Sequence, residues 1–264
     1  MYKLLVTDVD GTLLDNQSKV PELNRQAIFA CMGKGIKVIL ATGKTILSIS
    51  HLIEMFGLKL PQITLNGGVI ATNKNDILKS RAIREKDYIE LLKTIREYGV
   101  SCTSALLDGR VLYETYHPNM RYITDSGVEL IKVDSLDDPR IIQNTVSVHV
   151  PARETDPVDK YLRDKFGEKL FIVRSGEYFF DFLSKGLCKG NALKEIMHML
   201  GYGREEVVVF GDSYNDLSMF EVAGLNIAVK NSYPEVLQKA DIVTEENYRA
   251  GLGKAVFRHI LKEY

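Results

Sequence analysis

Apolar and polar positions alternate along this chain in blocks, and the blocks change character twice. Leu4 to Thr7 is a short, mostly apolar run that ends in Asp8-Val9-Asp10-Gly11-Thr12. That pattern predicts a buried strand closed by a sharp turn. Residues 21–34 read as a helix, with Pro21 near the start and Leu23, Ala27, Ile28, Ala30 and Cys31 at helical spacing. Gly33 and Gly35 close it. IKVILATG, residues 36–43, is a second apolar strand, and ILSISHLIEMFG, residues 46–57, a second helix. QITLNGGVIA, residues 62–71, is a third strand with a tight turn at Asn66-Gly67-Gly68. Strand, helix and strand at this spacing make a parallel crossover unit.

From about residue 84 the texture changes. EKDYIELLKTIREYG is an amphipathic helix, and VSCTSALLD and RVLYET are strands split by the hairpin signal Asp108-Gly109. Helix-like PNMRYITDSG, strand ELIKV, an acidic linker DSLDDPR and strand NTVSVHV follow. TDPVDKYLRDKFG reads as a helix opening with Thr155 or Asp156 as cap and Pro157 in its first turn. KLFIVRSG and YFFDFLS are strands around Gly176. Hairpins mixed with two helices indicate an antiparallel α+β module. The first texture returns at GLCKGNALKEIMHMLG, residues 186–201, whose Ala192, Leu193, Ile196, Met197 and Leu200 form one helical stripe. A buried strand EVVVF, strand LNIAVK, a helix over 233–239, strand ADIVT and a terminal helix from about 251 complete it. The expected fold is α/β: a Rossmann-like parallel sheet core from residues 1–83 and 187–264, with an α+β cap inserted over 84–186. A module inserted between parts of a parallel core is expected to cover something.

Composition narrows the function classes. The chain has 264 residues, 45% of them apolar and 26% charged, which suits a soluble globular protein. Its net charge is −1, from 34 basic and 35 acidic residues, so no basic excess points to nucleic acid or an anionic membrane. The apolar runs fall far short of the ~20 residues a membrane span needs. The N-terminus enters a strand directly, with no basic and apolar leader, so export is not expected. Cys31, Cys102 and Cys188 are odd in number and lack CxxC spacing. They suit a reducing cytoplasm and supply neither a disulfide framework nor a zinc site. The five histidines are scattered.

The candidate chemistry sits at strand ends. Asp8 and Asp10 are two residues apart at the carboxyl end of a strand, where open α/β sheets bind ligands, and both can face one crevice. Like charges so close need a shared cation or proton. Thr42-Gly43 follows the second strand, an ordinary turn out of context. Lys189-Gly190 opens a helix, where the backbone favours anions and a cation is locally unfavourable, a conflict that points to function. Gly211-Asp212-Ser213-Tyr214-Asn215-Asp216 ends another buried strand with a second acid cluster. These groups converge only if their strands share one parallel sheet.

DVDGTLL, ATGK, KGNAL and GDSYND, in this order, resemble the four motifs of the haloacid dehalogenase (HAD) superfamily of phosphatases. The inserted module resembles the large C2B-type cap of its Cof-type branch. The resemblance covers the whole chain. It implies that Asp8 is the nucleophile toward phosphorus and Asp10 the acid/base for leaving group and water. It implies that Thr42 and the backbone N–H of Gly43 hold phosphoryl oxygens, that Lys189 clamps the phosphoryl group, and that Asn215 reaches one of its oxygens. Mg²⁺ would be held by Asp8, the backbone carbonyl of Asp10, and Asp212, with Asp216 supporting it from behind or through water. The chain departs from the family at Lys44, commonly Arg, and near Lys230-Asn231, where a Gly is usual. The implied function is a cytoplasmic Mg²⁺-dependent phosphatase of small phosphorylated metabolites such as sugar phosphates, through an aspartyl-phosphate, with the cap reading the organic part. A phosphomutase remains an alternative. So does a catalytically idle binding module, although Asp8, Asp10, Lys189 and Asp212 are all present.

Overall fold

The structure, a computed structural model, describes residues 1–125, 127–151, 157–175 and 179–263. The chain opens with β1 (Leu4–Thr7), α1 (Glu22–Gly33), β2 (Lys37–Leu40), α2 (Ser50–Phe56) and β3 (Gln62–Thr64). The hairpin β4 (Val69–Asn73) and β5 (Asp76–Ser80) leads to α3 (Glu85–Glu97), β6 (Thr103–Leu106), β7 (Val111–Tyr113), α4 (Arg121–Asp125) and β8 (Leu130–Lys132). Next come α5 (Pro139–Asn144), β9 (Thr145–Pro151), α6 (Pro157–Phe166), β10 (Leu170–Ser175) and β11 (Phe179–Ser184). The chain ends with α7 (Lys189–Leu200), β12 (Val207–Gly211), α8 (Leu217–Phe220), β13 (Leu225–Val229), α9 (Pro234–Lys239), β14 (Ile242–Thr244) and α10 (Gly251–Ala255).

Two compact units result. The first holds Met1–Thr42, His51–Ile63 and Lys189–Tyr264. Its sheet has five parallel strands in the order β14-β13-β12-β1-β2, and Ala41 forms a further parallel bridge to Ile63. β1 is fully buried, as is β12, because a parallel sheet is covered on both faces, and both strands read as unbroken apolar runs. Thr7 is in register with Leu40 on one side and Phe210 on the other. The carboxyl ends of β1, β2 and β12 therefore lie side by side, although β12 is about 200 residues further along the chain.

The second unit holds Gly43–Ser50 and Thr64–Cys188. Its six-stranded sheet has the order β10-β11-β9-β6-β7-β8, antiparallel except where β7 meets β8. Here the pattern alternates, as expected for a sheet with two different faces. Val148, Val150, Phe180 and Phe182 pack with Tyr88, Leu91, Leu92 and Ile95 of α3 and Leu162 and Phe166 of α6. The α3 residues recur at helical spacing, which gives that helix one apolar stripe. The strand positions between them are polar: Thr103, Ser147, His149 and Asp181, all buried.

The expected first segment of the core, residues 1–83, is divided by the contacts. Residues 43–50 and 64–83 group with the second unit. The Leu65 N–H donates to the Lys44 carbonyl at 2.9 Å, Asn66 donates to Asp181 Oδ2 at 2.7 Å, and the Ile83 N–H donates to the Thr145 carbonyl at 2.8 Å. The stretch read as one strand over 62–71 is two strands about a turn with positive φ at Leu65, Asn66 and Gly67. The helix expected from residue 46 begins at Ser50. Part of the acidic linker is α5, capped by Asp138, whose side chain accepts the Arg140 N–H at 2.8 Å. Thr155, Asp156 and Gly176 lie outside the described residues.

Among the described residues no helix is long and apolar enough to cross a membrane. The core makes one quantitative expectation. Tyr88 is fully buried, and its hydroxyl lies 2.8 Å from Ser104 Oγ and 3.2 Å from the Leu136 carbonyl. Tyr88→Phe orphans both partners and should lower stability by ~1–3 kcal/mol in urea unfolding. An unchanged midpoint would show that these partners find others.

Candidate active site

β1 delivers Asp8 in extended conformation at the sheet's carboxyl edge, and the chain then turns sharply at Gly11, φ +75°. Asp8 is buried and Asp10 exposed, because Val9 takes the interior position as the chain leaves the strand. A Cβ at Gly11 would stand 2.6 Å from Asp212 Oδ2, so both the backbone conformation and the space demand glycine there. Thr12, the next residue, donates its hydroxyl to Asp212 Oδ1 at 2.6 Å. This is a direct side-chain contact between the two acid-bearing turns, and Thr12 was not among the expected site residues. The Thr of DVDGT was its only sequence signal.

Lys189 is the first residue of α7 and is fully buried. Its ammonium donates to Asp8 Oδ1 at 2.6 Å and to Asp216 Oδ1 at 2.7 Å. Asp216 is fully buried as well, and its second oxygen accepts the backbone N–H groups of Asp212 at 2.9 Å and Ser213 at 3.0 Å. Gly190 is required for close packing: a Cβ there would fall 2.0 Å from the Ser218 carbonyl of α8. The Gly190 N–H donates to Ser218 Oγ at 3.0 Å, which ties the start of α7 to the segment carrying the second acid cluster.

One carboxylate oxygen from each of Asp8, Asp212 and Asp216 lies within 4.8 Å of the others. Three carboxylates thus face a single ammonium. Burial pushes the Asp8 carboxyl up to about 7, with Lys189 opposing the rise and Asp216 adding to it. Burial also raises Asp212, and the charges of Asp8 and Asp216 raise it further. For Lys189 burial alone would lower the pKa, but the carboxylates of Asp216 and Asp8 outweigh it and hold the ammonium above its ordinary value.

The donor set fits a hard divalent cation. The oxygens are carboxylates, the cluster carries excess negative charge, and Mg²⁺ takes one or two carboxylates and keeps several waters. Both Asp216 oxygens are already engaged, so Asp8 and Asp212 are the side chains positioned to hold it.

Thr42 is buried past the end of β2, with its N–H on the Ile63 carbonyl at 2.9 Å. Asn215 lies half-buried in the turn between Asp212 and Asp216. Asp8, Thr42, Lys189, Asp212, Asn215 and Asp216 thus all belong to the first unit, whereas Gly43 and Lys44 belong to the second.

Comparison with known proteins shows which family the chain resembles. A family of haloacid dehalogenase-like hydrolases matches residues 5–256. The 5-amino-6-(5-phospho-D-ribitylamino)uracil phosphatase YcsE of Bacillus subtilis is 29% identical, covering 98% of this chain and 96% of its own. Phosphoglycolate phosphatase of Methanoculleus marisnigri is 30% identical, covering 98% of this chain and 97% of its own. The crystal structure of a haloacid dehalogenase-like hydrolase from Bacteroides thetaiotaomicron superposes with a TM-score of 0.86 at 25% identity, covering 98% and 99% of the two chains.

Two outcomes follow from the geometry. Lys189→Ala leaves Asp8 and Asp216 without their cation and should reduce turnover of an aryl phosphate ~10²-fold or more. It should also cost ~3–5 kcal/mol in stability. Lys44→Ala should reduce turnover much less, and the reverse order would move the clamp to Lys44. The second outcome concerns pH. Asp8 is raised on folding, so in metal-free protein its contribution to stability falls as pH rises from the unfolded carboxylate range toward 7. Asp8→Asn lacks that loss. Melting curves in chelator should show the variant gaining on wild type between pH 5 and pH 8, and a constant gap would contradict the raised carboxyl.

Proposed function

Since the chain belongs to the haloacid dehalogenase-like hydrolases and is a phosphatase of that family, we propose that it hydrolyses small phosphorylated metabolites, sugar phosphates foremost, with Mg²⁺ and through an aspartyl-phosphate on Asp8. The observation that carries this reading is the Lys189 bridge between Asp8 and Asp216, beside an Asp212 that Thr12 orients. The two named relatives act on a phosphoribitylamino uracil and on phosphoglycolate, which supports a small phosphorylated substrate.

In the proposed reaction Lys189 holds Asp8 Oδ1 and keeps the carboxylate aligned. Asp8 attacks phosphorus in line, the bond to the ester oxygen breaks, and Asp10 gives that oxygen its proton. Water then attacks the same phosphorus as Asp10 takes its proton, the Asp8–phosphorus linkage breaks, and phosphate leaves. Thr42, the Gly43 N–H, Lys189 and Asn215 are proposed to hold phosphoryl oxygens. Mg²⁺, held by Asp8, the Asp10 carbonyl and Asp212 with Asp216 behind, would neutralise the charge that otherwise repels a carboxylate nucleophile. Residues 84–186 are proposed as the cap that excludes water and selects the organic group. A cytoplasmic setting belongs to the same reading, supported by the unbridged buried thiols of Cys31 and Cys102.

Chelation should abolish turnover, Mg²⁺ should restore it, and Ca²⁺ should do so poorly because it prefers more ligands. Full activity in excess chelator would end the metal assignment. Asp10→Asn should distinguish substrates by leaving group. With nitrophenyl phosphate the first step needs little acid, so rapid quench should show a burst of nitrophenol and then slow turnover. With a sugar phosphate the first step itself should be slowed ~10²–10⁴-fold. No burst and equal slowing on both would reduce Asp10 to a structural role.

A further inference from the structure

The loop that carries Asp8 and Thr12 is held by three asparagines, two of them more than 200 positions along the chain. Asn24 donates to the Leu13 carbonyl at 2.9 Å, Asn247 to the Leu14 carbonyl at 2.9 Å, and Asn231 to the Gly11 carbonyl at 2.8 Å. Two of these amides also accept from the backbone of the C-terminal segment. The Gly253 N–H donates to Asn24 Oδ1 at 2.8 Å, and the Asn247 N–H donates to Asn231 Oδ1 at 2.8 Å. A carboxamide can donate to a carbonyl and accept from an N–H at the same time; a carboxylate of the same shape accepts but cannot donate.

Asn231 differs from the other two. Asn24 and Asn247 are buried, but Asn231 is exposed, and its bond falls on Gly11. Asp212 approaches so closely that position 11 admits only glycine, and glycine is the residue whose backbone is least restrained. The Gly11–Thr12 peptide would be the loosest link in the loop, yet it must hold the Thr12 hydroxyl on Asp212 Oδ1 at 2.6 Å. The Asn231 amide restrains that peptide at its carbonyl.

We propose that Asn231 is a positioning residue for the cation site: by fixing the Gly11 carbonyl it fixes Thr12 on Asp212, and so the orientation in which Asp212 meets a divalent cation. The inference rests on the Mg²⁺ reading above. It also accounts for an exposed carboxamide held by two hydrogen bonds.

The test is the affinity of the purified full-length protein for Mn²⁺, read by the electron paramagnetic resonance of free ion, with Mg²⁺ titrations of aryl phosphate turnover beside it. Asn231→Asp keeps an acceptor for the Asn247 N–H, removes the donor to Gly11 and sets a negative charge against the Gly11 carbonyl. Asn231→Ala removes both. Both variants should stay folded and bind Mn²⁺ about 10-fold more weakly, the size expected when a group orienting a metal ligand is lost. Asp should be at least as damaging as Ala. Saturating Mg²⁺ should restore most of kcat, with KM for the aryl phosphate little changed. In Thr12→Val, which removes the hydroxyl, adding Asn231→Ala should weaken binding no further, because both act on one path. A wild-type affinity in Asn231→Asp with a loss only in Asn231→Ala would show that the residue serves Asn247 and would overturn the inference. Wild-type affinity in both would overturn it as well. Wild-type protein that binds neither ion would overturn the Mg²⁺ reading itself, and that result is recognisable without any variant.

Discussion

The structure depends on one buried ammonium. Lys189 is sealed from water between Asp8 and Asp216, and the burial of each of these groups is offset by the others. Taking an ion pair from water costs several kcal/mol per ion, repaid only when geometry is good and the remaining lone pairs are satisfied. Here Asp216 meets that condition through two backbone N–H groups of its own turn. Asp8 does not: its pair with Lys189 leaves a surplus of negative charge shared with Asp212. That surplus makes the site unstable toward anions and receptive to a cation. The features that make Lys189 awkward as a helix-start residue make it effective as the fixed positive charge of a site otherwise built from acids.

The parallel sheet is what brings these charges together. Asp8 and Lys189 are 181 positions apart in the chain, and Thr12 and Asp212 are 200 apart. Register between β1 and β12 sets both acid-bearing turns at one edge, and glycine at 11, 190 and 211 lets backbones and carboxylates approach to distances that a side chain would prevent. The rigidity this requires comes from elsewhere. The loop that carries Asp8 takes side-chain hydrogen bonds from Asn24 of α1, from Asn231 between β13 and α9, and from Asn247 after β14, so the terminal part of the chain acts on its beginning.

Much of this could be read from the sequence, because the strongest signals are local. Strands buried on both faces show as unbroken apolar runs such as VVVF before Gly211, and the turn residues after them carry the chemistry. Lys189 was legible as a conflict between its charge and its place at a helix start. Less legible were features set by partners far along the chain. Nothing local marks Asn231, whose meaning depends on a carbonyl at position 11. The grouping of residues 43–50 and 64–83 with the antiparallel unit depends on Asn66 meeting Asp181, which no periodicity reveals. The helix over 139–144 was hidden because its acidic approach reads as a linker until Asp138 is seen capping it.

Stereochemistry at phosphorus tests most directly the proposal that Asp8, held by Lys189, takes the phosphoryl group itself. An in-line displacement inverts configuration, and two in succession restore it. Hydrolysis of a chiral, oxygen-isotope-labelled thiophosphate ester in isotopically labelled water should give thiophosphate with retained configuration. Inversion would mean that water attacks phosphorus directly, and would contradict the account of Asp8 as nucleophile.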